Sequence, residues 1–178
     1  MKQAYPDEVA CRQGCDDCCH QQVELSGVEA ERVTRTIAAL APAARAALAE
    51  TVRRATTSTA GAGPPDVCGA LDDDGGCQIY AGRPVVCRSH GLLYGYRAPT
   101  PRGLAAPAYA RSCGLNFRRD APVPLLRLAH PTRRDDSLVF DSDAGSARLR
   151  AIDRGFADER GVAIAPRITL NQLFVRLV

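Results

Sequence analysis

The residues of this chain with the most chemistry to offer are its eight cysteines. Four fall within nine residues, as Cys11-x3-Cys15-x2-Cys18-Cys19. The other four are spread as Cys68-x8-Cys77-x9-Cys87-x25-Cys113. A C-x2-C pair turns two sulfurs toward one centre across a tight bend, a device shared by zinc and iron–sulfur sites. Cysteine also serves as a small buried hydrophobe, but that role does not suit a segment carrying Arg12, Gln13, Asp16 and Asp17 between the sulfurs. A redox dithiol of thioredoxin type is a further use of C-x2-C, yet no βαβ pattern surrounds this one. The pattern points to metal, with Cys11, Cys15, Cys18, Cys19, Cys68, Cys77, Cys87 and Cys113 as candidate ligands.

Geometry limits how the first block can act. On a helix its four sulfurs fall within an arc of ~100° but spread over ~12 Å of axis. One zinc with sulfurs at ~2.3 Å cannot gather them from there. In an extended chain, Cys18 and Cys19 point to opposite sides. The block is therefore either a turn wrapped around metal or a partner of the second block. Sharing would pin the N-terminal segment to residues 68–113.

The elements that must position these cysteines are mostly helical. Val23 and Leu25 alternate as a short extended stretch. Ser26-Gly27-Val28-Glu29 reads as a capping box, and Val33, Ile37 and Leu40 follow at helical spacing. Pro42 suits the first turn of a second helix with Ala44, Leu48 and Val52 as its stripe. Residues 56–65 read as a Gly/Pro linker. Asp72-Asp73-Asp74-Gly75-Gly76 is a turn; it lacks the alternating carboxylates and distal glutamate of a calcium loop. Residues 92–96 suit a strand. The stretch 99–131 holds six prolines and reads as loop-rich. Ser142 or Asp143 is positioned to cap a further helix, with Leu149, Ile152 and Phe156 on one face and Gly161 as its stop. The apolar tail 168–178 is expected to dock on the body. The fold class is mainly α, a small single domain over 1–178 with irregular metal-tied loops and little β.

Beyond single spacings, the knot followed by Val23-Glu24-Leu25-Ser26, then Cys77-Gln78-Ile79-Tyr80-Ala81-Gly82-Arg83-Pro84-Val85-Val86-Cys87-Arg88, resembles the bacterial YkgJ-type cysteine-cluster family. That family carries a zinc- or iron-chelating CxxCxxCC domain. The resemblance covers roughly 11–115 and leaves 116–178 as a C-terminal helical and loop extension. It departs from the usual knot by one residue, with three between Cys11 and Cys15. A flagellin lysine N-methylase shares the domain, and its members are implied to hold a four-iron (4Fe-4S) cluster. The resemblance thus implies an iron–sulfur cluster or zinc as cofactor. No S-adenosylmethionine fingerprint is visible, so methylase activity does not carry over by residue.

Other residues frame that reading. Arg83 and Arg88 are candidates to donate hydrogen bonds to cluster sulfurs and offset thiolate charge. Pro84 fits the start of a short helix carrying Cys87, and Tyr80 is read as packing. His20 and His90 are alternative imidazole ligands, and His130 is read as a plain loop histidine. The formal charge is +3, but only Lys2 is lysine and the other 22 basic residues are arginine, a composition typical of a GC-rich genome. No basic run carries interleaved aromatics, so nucleic acid is not an expected partner. No stretch approaches the ~18 apolar residues of a membrane span. The start has no apolar leader, so a cytoplasmic protein with reduced thiols is expected. The expected function is cytoplasmic metal binding through two cysteine blocks, in electron transfer or metal handling, with the metal ion or cluster as partner. The alternatives are a cluster-dependent enzyme of the N-methylase or oxidoreductase type and a zinc-stapled interaction module.

Overall fold

The computed structural model describes residues 9–12, 14–57, 67–100, 103–111, 113, 115–116 and 139–178. Its contacts gather into two compact units: the chain up to Cys11 with Ser89–Ala151, and Arg12–Arg88 with Ile152–Val178. Both carry cysteines.

The second unit is helical. After a two-residue strand β1 (Glu24–Leu25), helix α1 (Gly27–Ala38) begins at Ser26, whose backbone N–H and hydroxyl both donate to Glu29 Oε2 at 3.0 Å. This is the capping glutamate that the Ser-x-x-Glu spacing predicts. Helix α2 (Pro42–Thr57) starts on the expected proline, whose fixed φ and missing N–H cost nothing in a first turn. Val33 and Ile37 from α1 and Leu48 and Val52 from α2 are all buried. Ala44, expected in the α2 stripe, is exposed. The linker expected from 56 begins instead as the end of α2, and 58–65 lie outside the described residues, as does His130.

The tail closes this core. Strand β5 (Ile168–Thr169) pairs antiparallel with β1, and a helix over Leu170–Leu177 follows it directly. Its start is a second capping box, Thr169 with Gln172: Gln172 N–H donates to Thr169 Oγ1 at 3.2 Å and Thr169 N–H to Gln172 Oε1 at 2.9 Å. Leu170, Leu173 and Phe174 are buried among the α1 and α2 side chains, with Val23, Leu25, Ala70 and Ile79. The expected docking of the apolar tail is thus its folding as a core helix. Cys68, Cys77 and Cys87 pack against this same cluster.

The other unit holds the sheet. β2 (Leu93–Thr100) lies between β3 (Gly103–Arg111), antiparallel, and β4 (Val139–Asp141), parallel. This corrects the loop-rich reading of 99–111; residues 117–131 lie outside the described residues. Proline is excluded mainly from strands paired on both sides. Pro107 stands on the edge strand β3, and Pro99 lies past a register shift, beyond the part of β2 that β4 covers.

Between the last strand and the tail runs helix α4 (Ser142–Arg160), α3 being the short helix Val85–Ser89. The cap of α4 is Asp141 rather than Ser142 or Asp143: its Oδ1 accepts from the N–H groups of Asp143 at 3.1 Å and Ala144 at 2.9 Å. Gly161 ends the helix with φ +62°, a conformation that favours glycine. In the helical unit the C-terminal half of α4 is tied to α1, where Val28 N–H donates to Asp153 Oδ1 at 2.8 Å and Arg160 to Glu31 at 3.1 Å. The tail helix, Leu170–Leu177, is α5.

Phe174 is fully buried and is the largest side chain that α5 gives the core. Phe174→Ala should lower stability by about 3–5 kcal/mol. A shift of the urea unfolding midpoint checks this; an unchanged midpoint would mean that α5 is not part of the cooperative core.

Candidate metal centre

The first cysteine block folds as a turn rather than a helix. Cys15 N–H donates to Arg12 O at 3.1 Å, and Asp17–Cys19 form one 3-10 turn closed by Cys19 N–H to Asp16 O at 2.6 Å. One backbone bond ties the block to the second. Cys68 N–H donates to Cys19 O at 2.7 Å. His20, about half exposed, pairs its Nε2 with Asp16 Oδ2 at 3.1 Å.

Each cysteine of the second block has its own support. Asn171 of α5 straddles Cys68: its Oδ1 accepts from Gly69 N–H at 2.9 Å and its Nδ2 donates to Val67 O at 3.0 Å. The Asp72–Gly76 segment is the expected turn. Asp72 Oδ1 accepts from Gly76 N–H at 2.6 Å and Asp74 N–H at 3.1 Å, and Leu71 bridges Cys77 across it. Gln78 then fastens the strand end, with Nε2 donating to Thr51 Oγ1 of α2 at 2.9 Å. Tyr80–Gly82 make a second 3-10 turn, which leads through Arg83 and Pro84 into α3 and Cys87. Val85 N–H, at the start of α3, donates to Glu29 Oε1 at 3.0 Å. Buried Glu29 therefore caps two helices at once, one through each oxygen.

These supports bring Cys18, Cys19, Cys68, Cys77 and Cys87 into one electrostatic neighbourhood. A hydrogen bond with Cys19, then burial and the Cys19 charge, push the Cys18 thiol far up, against the pull of the Arg83 guanidinium. At Cys19 the hydrogen bond with Cys18 pulls down. The bond with Cys68, burial and the charges of Cys68 and Cys77 outweigh it and raise the group to about 12. Burial chiefly, with the charges of Cys18 and Cys77, raises Cys87 to about 12. Burial likewise raises Cys77. Burial and the charges of neighbouring sulfurs thus make ionisation harder at Cys18, Cys19, Cys77 and Cys87, so the group calls for positive charge. Among the described residues, no three of these sulfurs lie within 4.8 Å of one another.

One cation already faces the group. Arg83 lowers Cys18, Cys77 and Cys87 together. Its guanidinium lies over the Tyr80 ring, 3.6 Å from the centroid, and its Nε is buried without a hydrogen-bond partner. A buried donor of this kind is rare unless a group absent from the protein chain completes it. Arg88 is spent on the backbone. Its Nε donates to Arg83 O at 2.9 Å and an Nη donates to Ala81 O, which fixes the turn presenting Arg83.

The remaining candidates fall outside this group. Cys15 is half-buried on the chain just before it. Cys11, Cys113 and His90 belong to the other unit. None of the eight cysteines is in a disulfide. Asn171 and the second role of Glu29 were not foreseeable from spacing; the only hint was the Thr169-x-x-Gln172 cap that starts α5.

A family model titled "CxxCxxCC: Putative zinc- or iron-chelating domain" matches residues 10–101. No curated protein and no solved structure matches the chain.

Glu29→Ala removes the acceptor of three donors, a loss of about 1–3 kcal/mol for each donor left buried. In metal-free protein this should free α3 and make Cys87 alkylate faster than in wild type. Equal rates in a mass-spectrometric time course would show that Glu29 does not hold α3.

Proposed function

The chain belongs to the CxxCxxCC family of zinc- or iron-chelating domains, and on that premise we propose that it is a cytoplasmic protein holding one iron–sulfur cluster in its helical unit. Four thiolates from among Cys18, Cys19, Cys68, Cys77 and Cys87 bind the irons. The carrying observation is that five cysteines from both blocks share one neighbourhood, so the donor set is sulfur alone, which is what iron–sulfur clusters take.

The chain's own groups fit such an anionic centre. Arg83 offsets thiolate charge, and its buried Nε is the donor for a thiolate or sulfide sulfur. Arg88 is a positioning residue, holding the carbonyls of Ala81 and Arg83 and so the aim of the Arg83 side chain. Glu29, Asp72 and Asn171 fix the backbones that carry Cys87, Cys77 and Cys68. The cluster, when bound, supplies one-electron chemistry and a covalent tie between the two cysteine blocks. Electron transfer or metal handling is the role this supports. No helix among the described residues is long and apolar enough to cross a membrane.

Anaerobically purified protein should be brown and contain iron and acid-labile sulfide in equal amounts. Cys18→Ser and Cys77→Ser should each lose most of both, since they draw on different blocks. A colourless protein with zinc alone would overturn the cluster reading and favour the zinc staple. Arg83→Gln should keep the cluster but lose it to a chelator some 10–100-fold more readily. Loss at the wild-type rate would show that the Arg83 charge does not reach the metal.

A further inference from the structure

We propose, resting on the cluster reading above, that the helical unit receives a small acidic one-electron carrier on the segment between Cys77 and Cys87. The face is built by Arg32, Tyr80, Val85, Val86 and Arg88. Two guanidiniums converge on one carbonyl there. Arg32, from α1, donates to Ala81 O at 3.0 Å, and Arg88, from α3, donates to the same oxygen. Both side chains are exposed. A backbone carbonyl fixes a guanidinium in place without cancelling its charge. The carboxylates nearest in sequence are engaged elsewhere. Glu29 is buried and accepts from the N–H groups of Ser26 and Val85. Glu31 pairs with Arg35 at 2.8 Å and with Arg160 at 3.1 Å. From Gly75 to Arg88 the chain has no aspartate or glutamate. The face therefore keeps a net positive charge.

Apolar surface accompanies these charges. Tyr80 is 65% exposed, Val86 43% and Val85 41%. Large apolar groups gathered on one exposed segment and rimmed by charge mark an interaction site. The segment is also preformed. Gly82 is buried against α1, where a Cβ in its place would run into Thr36. The turn thus lies close on the helix that carries Arg32, and docking has little left to order.

Position gives the face its use. Tyr80 N–H donates to Cys77 O at 3.1 Å, and Cys87 stands between the exposed Val86 and Arg88. A carrier seated here is one residue from Cys87. A face this small suits the brief contacts of electron transfer. Its arginines fit a carrier with an acidic rim, since complementary charge speeds encounter and fixes orientation. The carrier gives up one electron and the iron centre accepts it. No bond is made or broken, and no proton has to move.

The test mixes the whole chain, loaded anaerobically, with an acidic two-iron ferredoxin as probe and with basic cytochrome c as control. Wild type should take electrons from reduced ferredoxin at a rate that falls steeply with added salt. Arg32→Glu and Val86→Glu should each slow this step at least about tenfold, with iron content and far-ultraviolet circular dichroism unchanged. When the reduced protein meets oxidised cytochrome c instead, both variants should react at least as fast as wild type. Binding of oxidised ferredoxin, followed by titration calorimetry, should weaken in both variants. A wild-type rate indifferent to salt, or variants as fast as wild type with ferredoxin, would overturn the face. So would an oligonucleotide bound through Arg32 in place of ferredoxin, or a homodimer that Val86→Glu dissolves. Iron-free protein that binds ferredoxin, and loses it in Arg32→Glu, would overturn the cluster reading and leave the docking face standing.

Discussion

The gathering of five cysteine sulfurs against one core is the constraint on which the helical unit is built. Burial and the charges of neighbouring sulfurs together raise the proton affinity of Cys18, Cys19, Cys77 and Cys87. A protein gains nothing by assembling such a group for packing alone. Leucine or valine would fill the same space without the electrostatic cost. The arrangement becomes favourable when a cation supplies the missing charge, because ligation then stabilises the thiolates that proximity disfavours. Metal binding is in that case part of the folding free energy of the unit.

The rest of the unit can be understood as scaffolding for those five positions. The short segments that carry Cys68, Cys77 and Cys87 are each fastened to a longer helix by a polar side chain. Asn171 brings α5 to Cys68, Glu29 brings α1 to Cys87, and Gln78 brings the end of the Cys77 turn to α2. The apolar core beneath is modest, so these polar fasteners and the Cys68–Cys19 backbone bond set the geometry. Arg83 is a cation built into the site, and the Tyr80 ring and the Arg88 bonds to the backbone keep it aimed.

Much of this was legible in the sequence where the signal is local. The capping box at Ser26, the proline start of α2, the Asp72 turn and the Gly161 stop each follow from a few adjacent residues, and each is present. The C-x-I-Y-x-x-R-P-x-x-C-R element was recognisable as a family pattern, and Arg83 within it acts electrostatically on both of its cysteines. What spacing could not supply was anything resting on distant pairs. Asn171 lies 102 residues from the amide it holds, and no periodicity marks it. Prolines misled over 99–111 because proline forbids a strand only where its missing N–H is needed, and strand order is a tertiary fact. The geometric bar on a helical first block did carry through: the block is a turn, and Cys19 O accepts from Cys68 N–H.

The most direct measurement is thiol footprinting of the anaerobically purified protein before and after metal removal, read by mass spectrometry at each cysteine. At most one of the five is expected to react with metal bound. All of Cys18, Cys19, Cys68, Cys77 and Cys87 should become reactive together, in a single step, as the metal leaves. Protection confined to one block, with Cys18 and Cys19 reactive while Cys77 and Cys87 stay covered, would contradict a centre shared between the two.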